Sequence, residues 1–265
     1  MSSKILSTAT IGLKSELIEI EVDAVSAGLH QFNIVGLPDA AVKESRDRVS
    51  AAIRNSRFKP PHQCGRITVN LAPADLKKEG PAYDLPIALG FLLATKQIKF
   101  DHANKIFLGE LALDGKIRPV KGVLPMAILA KKENIQDIFV PSENAAEASV
   151  IEGLNIYPVS DLLSLITHLT AQQKISPFPA LNLESLFVED EHLCEMSHIK
   201  GQEHAKRALE IAAAGGHNVI LNGPPGSGKS LLAKTMPSIL PKLTIPEALE
   251  ITKIFSVSGQ LPKET

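Results

Sequence analysis

The sequence predicts an α/β protein with two folded parts joined by a linker. In the first 170 residues, short apolar or alternating runs typical of strands are interleaved with longer segments of helical periodicity. Further along, a glycine-rich loop stands between a short apolar run and a helical segment, as in parallel α/β modules. We predict domains at residues 1–170 and 199–265, with the linker at 171–198.

Composition sets the broad class and excludes several functions. A chain of 265 residues forms one large or two ordinary domains. The net charge of −1 gives no overall nucleic-acid signal, so any such site must be a local patch. Aromatic residues make up only 4% and tryptophan is absent, so platforms for stacking single-stranded bases are scarce.

The cysteines and the N-terminus indicate a cytoplasmic location. Cys64 and Cys194 are far apart and have the spacing of two reduced thiols. The first residues lack the apolar core and cleavage site of a signal peptide. No apolar run approaches the roughly 20 residues that span a bilayer, so we expect no membrane partner.

The first elements follow from alternation and from a proline. Residues 17–25 alternate apolar and acidic side chains, which predicts a strand with one solvent-exposed face. Residues 29–35 predict a second strand, with Gly28 in the turn between them. Pro38 then opens a helix to about residue 55, because proline suits the first turn of a helix. Its apolar side would comprise Val42, Val49 and Ile53.

The middle of the chain predicts a mixture of strands and buried helices. Residues 66–71 form a strand, and the apolar run 85–94 forms a buried helix. Asp114-Gly115 is a strong hairpin signal between strands at 105–111 and 116–120. The remaining predicted elements are a helix at 123–132, a strand at 137–141, a short helix with a capping box between Asn144 and Glu147, a strand at 154–159, and a helix at 161–170 capped by Asp161 or Ser160.

A polar, proline-interrupted stretch then breaks this pattern and predicts the linker. Beyond it, Gly201 to Asn218 reads as a helix ended by two glycines. Residues 218–222 read as a short buried strand, and residues 244–255 as an amphipathic helix.

The glycine-rich loop has the complete G-x-x-x-x-G-K-[ST] pattern of a phosphate-binding loop. Its glycines let the backbone approach phosphates closely, and backbone N–H groups at the helix start attract anions. Lys229 would reach the β- and γ-phosphates of ATP, and the Ser230 hydroxyl would bind Mg²⁺. The candidate nucleotide-binding residues are Gly223, Pro224, Pro225, Gly226, Ser227, Gly228, Lys229 and Ser230.

The 35 residues after Ser230 lack the second half of an ATPase site. A P-loop ATPase also needs an acidic residue on a later strand to hold Mg²⁺. No apolar run ending in Asp-Glu follows the loop. We therefore expect an incomplete module that binds ATP weakly and does not hydrolyse it.

Two sets of motifs resemble known families. The segment from Ile199-Lys200-Gly201-Gln202-Glu203 to Ser230 resembles the opening of a magnesium-chelatase-like AAA+ module. The run from Gly36-Leu37-Pro38-Asp39 to Val49 resembles the ComM/YifB family, as do residues 67–76 and 83–90. This resemblance implies an ATP-driven homo-hexameric helicase that acts on single-stranded or branched DNA. Its implied role is branch migration during homologous recombination in natural transformation.

The family resemblance also implies the fold of the first domain. That domain is similar to the proteolytic domain of Lon proteases, a ribosomal S5 domain 2-like α/β fold, and to a domain of RadA. Lon peptidases use a Ser–Lys dyad, but here the serine position holds Ala82 and the lysine position holds Leu124. Neither side chain supplies a nucleophile or a base, and Lys121 lies three residues away. We expect a scaffold and not a peptidase.

A local basic segment is the candidate DNA contact. From Lys43 to Arg66 there are seven Lys or Arg against two acidic residues. Such a helix and loop could follow a DNA backbone, or could simply be a solvated face with pairs such as Glu44 with Arg48. The candidate contacts are Lys43, Arg46, Arg54, Arg57 and Lys59.

The residues leave two alternatives to a DNA motor. One is a magnesium-chelatase-type ATPase subunit that inserts Mg²⁺ into a porphyrin, although nothing in the sequence suggests a porphyrin site. The other is a non-enzymatic remnant that binds nucleotide or assembles with a partner. The His62–Cys64 and His192–Cys194 pairs each offer too few ligands for a structural zinc, so the only metal expected is Mg²⁺ with ATP.

Overall fold

A seven-stranded mixed sheet is the centre of the first part of the chain. Its strand order is β3-β4-β2-β1-β5-β8-β9, and a separate two-stranded sheet pairs β6 with β7. The β1/β2 and β2/β4 pairs are antiparallel, while the other four neighbouring pairs are parallel. The strands are β1 Ser2–Ile11, β2 Lys14–Val25, β3 Gln31–Val35, β4 Arg66–Ala72, β5 Lys105–Phe107, β6 Glu110–Leu111, β7 Ile117–Arg118, β8 Asp137–Pro141 and β9 Asn155–Val159.

The computed structural model describes residues 2–25, 30–181 and 194–261. Internal contacts divide the chain into two units. One comprises Met1–Asn182 with Glu250–Thr265, and the other comprises Leu183–Leu249. The helices are α1 Ala40–Asn55, α2 Asp84–Ala94, α3 Val123–Lys132, α4 Ala145–Ser149, α5 Leu162–Leu169, α6 Glu203–Gly215, α7 Lys229–Thr235 and α8 Ile245–Ser258.

Helices of the first unit pack on opposite faces of the sheet. The Ser3 hydroxyl donates to the Gly90 carbonyl at 2.7 Å, which places α2 on the face of odd-numbered β1 residues. α1, α2 and α5 share one apolar core with that face. At the start of α3, Gly122 approaches the side chain of Thr10. Because successive side chains of a strand point to opposite faces, α3 lies on the other side.

Most of the predicted elements of the first unit are present. The single strand predicted at 105–111 is wrong, because this segment forms β5 and β6, which belong to different sheets. α1 begins after Asp39, whose carboxylate accepts from the Val42 N–H at 2.7 Å. The predicted polar face of β2 is also confirmed. Glu19 and Glu21 lie outside the core, and both carboxylates pair with the Lys4 ammonium at 3.0 Å. The predicted turn at Gly28 lies outside the described residues.

The sequence pattern does not predict β1, and the capping box predicted between Asn144 and Glu147 is wrong. β1 is rich in Ser and Thr, so its apolar alternation is weak, yet it lies inside the sheet between β2 and β5. At α4, Asn144 does not cap its own helix. Its side-chain amide instead exchanges two 2.9 Å hydrogen bonds with the backbone of Val120. The Glu147 carboxylate accepts from the Leu124 N–H at 2.9 Å, so these side chains serve the start of α3.

The second unit has a small core and lacks one predicted element. Ile199, Leu209 and Leu232 form a buried apolar cluster in this unit. The buried strand predicted at residues 218–222 is absent, and Ile220 is 94% exposed. A strand needs a neighbour to satisfy its backbone N–H and C=O groups, and no strand is assigned anywhere in residues 194–261.

Asp84 connects three elements of the first unit. Its carboxylate is fully buried and accepts from the Arg48 Nε at 2.6 Å and from a second Arg48 nitrogen at 3.1 Å. It also accepts from the Ser45 hydroxyl and from the Leu111 N–H at 3.1 Å. Burial raises the pKa of Asp84, while the hydrogen bonds from Arg48 and Ser45 oppose that shift. The carboxylate therefore joins α1, α2 and β6.

Replacing Arg48 with Ala should strongly destabilise the fold. The change leaves the Asp84 carboxylate buried without its cation, and breaking a buried pair in this way costs about 3–5 kcal/mol. Urea unfolding would measure the loss. Arg46→Ala is the matched control on the same helix, because Arg46 is exposed and its loss should change the free energy of unfolding by less than about 0.5 kcal/mol. Equal effects from the two variants would contradict a structural role for the Arg48–Asp84 pair.

His168 should make the first unit sensitive to mild acid. Its ring lies 5.1 Å from Tyr157 and 5.6 Å from Phe139, and its Nδ1 accepts from the Ile175 N–H at 2.8 Å. Burial lowers its pKa, so the unfolded chain takes up this proton more readily than the folded one. Its contribution to stability is therefore complete above the ordinary histidine pKa of about 6.5 and declines as the pH falls below it.

Unfolding by urea between pH 5 and 7.5 would test this expectation. The parent should lose more stability on acidification than a His168→Asn variant, which has no titrating group at this position. Parallel pH profiles for the two proteins would show that His168 does not titrate differently on unfolding.

Candidate nucleotide and nucleic-acid sites

The glycine-rich loop leads directly into α7. Lys229 is the first residue of that helix, and Gly228 precedes it as the N-cap. Leu232 N–H donates to the Gly228 carbonyl at 2.9 Å, which closes the first turn of the helix. The predicted helix after the loop is confirmed, and the loop is largely exposed.

Two of the loop glycines are required by backbone conformation. Gly226 has φ +81° and Gly228 has φ +84°, in the left-handed region that other residues avoid. Nothing lies within 4 Å of the position a Cβ would take at either residue. The glycines therefore supply the turn, and space remains open on the side of the loop where a side chain would stand.

The Lys229 ammonium lies against the loop itself. It donates to the carbonyls of Gly223 at 2.9 Å and Pro224 at 2.7 Å, and to the Ser227 hydroxyl at 3.2 Å. Ser227 in turn donates its hydroxyl proton to the Pro224 carbonyl at 2.9 Å. These bonds hold the positive charge over the loop.

The loop has the donors that a nucleotide triphosphate requires. The backbone N–H groups of Gly226, Gly228, Lys229 and Ser230 donate to no other residue in the described part of the second unit. The hydroxyl-bearing Ser230 is exposed on the first turn of α7. Residues 194–261 contain no cluster of three acidic or His/Cys side chains that could hold a metal ion alone. Ser230 and the phosphates would therefore be the ligands of Mg²⁺ here.

The two positions that the resemblance assigns to the Lon dyad lie in the first unit and hold Ala82 and Leu124. Ala82 is in a short 3₁₀ turn at Pro81–Tyr83, and only 8% of it is exposed. Leu124 is fully buried near the start of α3. The 3₁₀ turn packs beside α1 and β6, while α3 packs on β1, β2 and β8. Lys121 is exposed outside the helix.

All five predicted DNA contacts are exposed, but they differ in their surroundings. Arg46 pairs with Asp47 at 3.3 Å, and Lys43 stands next to Glu44 in the first turn of α1. Arg54, Arg57 and Lys59 lie at the other end of α1 and in the loop after it, where no described carboxylate pairs with them. The predicted Glu44–Arg48 pair is present at 3.7 Å, although Arg48 mainly serves Asp84.

Arg48 is one of the seven cations of the basic segment, but its buried partner Asp84 was not predicted from the sequence. Asp84 stands 36 residues further on, at the start of an apolar helix. An acidic residue at the edge of a helix that is otherwise apolar was the available signal, because a buried carboxylate needs a cation.

Comparisons with known proteins bear on the whole chain. A family model described as subunit ChlI of Mg-chelatase matches residues 20–144, and one described as magnesium chelatase, subunit ChlI, matches residues 195–265. The chain is 43% identical over 255 residues to "Competence protein ComM" of Haemophilus influenzae, covering 96% of this chain and 49% of that protein. The chain belongs to the ComM/YifB family. It is also 41% identical over 263 residues to "Uncharacterized protein YifB" of Escherichia coli, covering 97% of this chain and 50% of that protein.

A more distant similarity extends to a peptidase. The chain is 27% identical over 159 residues to "Lon protease 2" of Bacillus subtilis, covering 54% of this chain and 28% of that protein. The similarity agrees with the α/β fold described above. The chain spans about half the length of the curated ComM/YifB relatives that it matches. No helix in the described residues is long and apolar enough to cross a membrane.

Replacing Lys229 with Ala should strongly weaken nucleotide binding. The change removes the cation that would neutralise the β- and γ-phosphates, so the affinity for a fluorescent ATP analogue in Mg²⁺ should fall by at least about tenfold. Lys234→Ala is the matched control, because Lys234 is exposed on the same helix but outside the loop. Unchanged affinity in Lys229→Ala would exclude this loop as the nucleotide site.

Proposed function

We propose that this ComM/YifB-family chain binds ATP with Mg²⁺ and belongs to a hexameric motor that drives branch migration on DNA. The observation that carries the proposal is the complete phosphate-binding loop at the start of α7, with Lys229 over the loop and free backbone N–H groups. Support comes from the relative named as a competence protein, which matches nearly the whole of this chain.

Nucleotide binding and hydrolysis are separate parts of this proposal. The loop residues and Lys229 would hold the triphosphate, and Ser230 would bind its Mg²⁺. The metal would neutralise phosphate charge when bound. We propose nucleotide binding for the loop itself, whereas hydrolysis also needs an acidic residue on a later strand. Hydrolysis and strand movement are proposed for the whole protein.

The Lon-like unit would serve as a scaffold and a DNA-contacting surface. Ala82 and Leu124 provide no nucleophile and no base, so we propose that the unit cleaves no peptides. The exposed cations at the end of α1 would contact DNA phosphates, whose interaction weakens as salt displaces it. The substrate would be single-stranded or branched DNA, in a cytoplasmic setting.

A magnesium-chelatase subunit is the second candidate, because both matching family models carry that description. It would bind the same nucleotide at the same loop but couple it to Mg²⁺ insertion into a porphyrin. The two functions differ in what they act on, and that difference can be measured directly.

The chain should bind both a synthetic four-way DNA junction and a fluorescent ATP analogue. When it is mixed with chelatase partner subunits, it should promote no Mg²⁺ insertion into protoporphyrin. Fluorescence anisotropy at 50 mM salt would measure both affinities, and porphyrin fluorescence would follow insertion. Because phosphate contacts dominate such binding, raising the salt to 200 mM should weaken junction binding by orders of magnitude. Nucleotide binding with no junction binding and active chelation would replace the DNA proposal with the chelatase one.

A further inference from the structure

Two helices of the first unit, α1 and α2, end beside each other. Directly after the C-cap of each helix stands a residue with a long cationic side chain, in a backbone conformation that favours glycine. Arg57 follows the C-cap of α1 and has φ +67°, and Lys96 follows the C-cap of α2 and has φ +58°. Each stands where a helix commonly ends in a left-handed glycine. Left-handed backbone is unfavourable for residues with a Cβ, so both positions retain a cation at some cost in stability.

Direct hydrogen bonds hold the two helix ends together. Lys59 N–H donates to the Gln97 side-chain oxygen at 2.7 Å, and the Gln97 amide nitrogen donates back to the Lys59 carbonyl at 3.0 Å. Gln97 directly follows Lys96, and Lys59 lies two residues after Arg57. The contact therefore brings the loop after α1 to the loop after α2.

The joined helix ends present a cluster of cations without counterions. All five of its members are exposed, and none of them forms an ion pair with any residue in the described ranges. The nearest acid in sequence, Asp101, accepts from the Ala103 N–H at 3.0 Å and pairs with no cation. We define this basic platform as Arg54, Arg57, Lys59, Lys96 and Lys99.

We propose that the basic platform binds the phosphate backbone of double-stranded DNA without reading its sequence. This inference rests on the proposed function and changes its DNA contacts. It adds Lys96 and Lys99, and it leaves out Lys43 and Arg46, which stand among Glu44 and Asp47 at the other end of α1. Unpaired cations favour a polyanion, because binding releases the counterions condensed on the phosphates.

The surroundings of the platform favour a duplex over a single strand. Single-strand binding relies on aromatic side chains that stack on bases. The two phenylalanines nearby, Phe58 and Phe100, are half-buried and pack against the apolar core of the unit. A duplex instead keeps its base faces stacked inside and presents its phosphates along the outside.

Substituting glycine at the two left-handed positions distinguishes a DNA-binding role of the cations from a structural role. Losing a DNA contact should lower the duplex affinity, whereas losing a structural contact should lower the melting temperature. In the full chain, the double variant Arg57→Gly with Lys96→Gly should weaken binding to a 20-base-pair duplex by roughly tenfold or more at 0.1 M salt. Loss of two phosphate contacts should also make the slope of log K against log salt shallower by about 1.8. The melting temperature should stay the same or rise, because glycine suits both positions.

Two further variants serve as controls. Lys131→Gln with Lys132→Gln removes the same charge from the exposed end of α3 and should leave the duplex affinity and its salt slope unchanged. Arg57→Lys with Lys96→Arg keeps both charges and should bind within about twofold of the parent. Equal weakening in the α3 variant would mean that only net charge matters, and would overturn the assignment.

Other outcomes separate this inference from the proposed function. If the glycine variant binds duplex like the parent, the platform is not the DNA site, although the DNA function stands. Displacement of duplex by a matched polyglutamate at equal concentration would assign the platform to acidic proteins instead. Tighter binding of a 20-nucleotide single strand than of the duplex would overturn the choice of duplex. If the parent binds nucleotide but no DNA, the proposed function fails and this inference with it.

Discussion

The buried carboxylate of Asp84 fixes the helices on which the basic surface depends. It receives two hydrogen bonds from Arg48 of α1 and one from the backbone of β6, while it begins α2 itself. A carboxylate without solvent requires these partners, because its desolvation would otherwise cost several kcal/mol. Because Arg48 pairs with Asp84, it is not one of the exposed cations of α1. With α1 and α2 held together in this way, the loops that follow the two helices lie beside each other.

The glycine-rich loop depends on a different and more local constraint. Its left-handed glycines and the hydrogen bonds of Lys229 form within eight consecutive residues, so the loop needs little from the rest of the unit. The segment before it does need more. Residues 218–222 have a strand-like sequence but no neighbouring strand in the described residues, and Ile220 is exposed.

The first unit is similar to Lon protease 2 but holds Ala82 and Leu124 at the two positions that the resemblance assigns to the Lon dyad. The side chains of Ala82 and Leu124 are buried, and the Leu124 N–H at the start of α3 donates to the Glu147 carboxylate of α4. What the unit offers to solvent instead is charge at its helix ends. Arg57 and Lys96 place two of these cations at left-handed positions where glycine would fit more easily.

Sequence alone determined the pattern of the glycine-rich loop, Asp161 as one of two candidate helix caps, and most strands and helices of the first unit, because these follow from local periodicity and turn chemistry. It missed β1, since a Ser/Thr-rich strand carries little apolar signal, and it misplaced the partners of Asn144 and Glu147. Only the tertiary structure paired Arg48 with Asp84 and placed Lys96 near Lys59. Those contacts join residues 36 or more positions apart, and no local pattern encodes which distant groups meet.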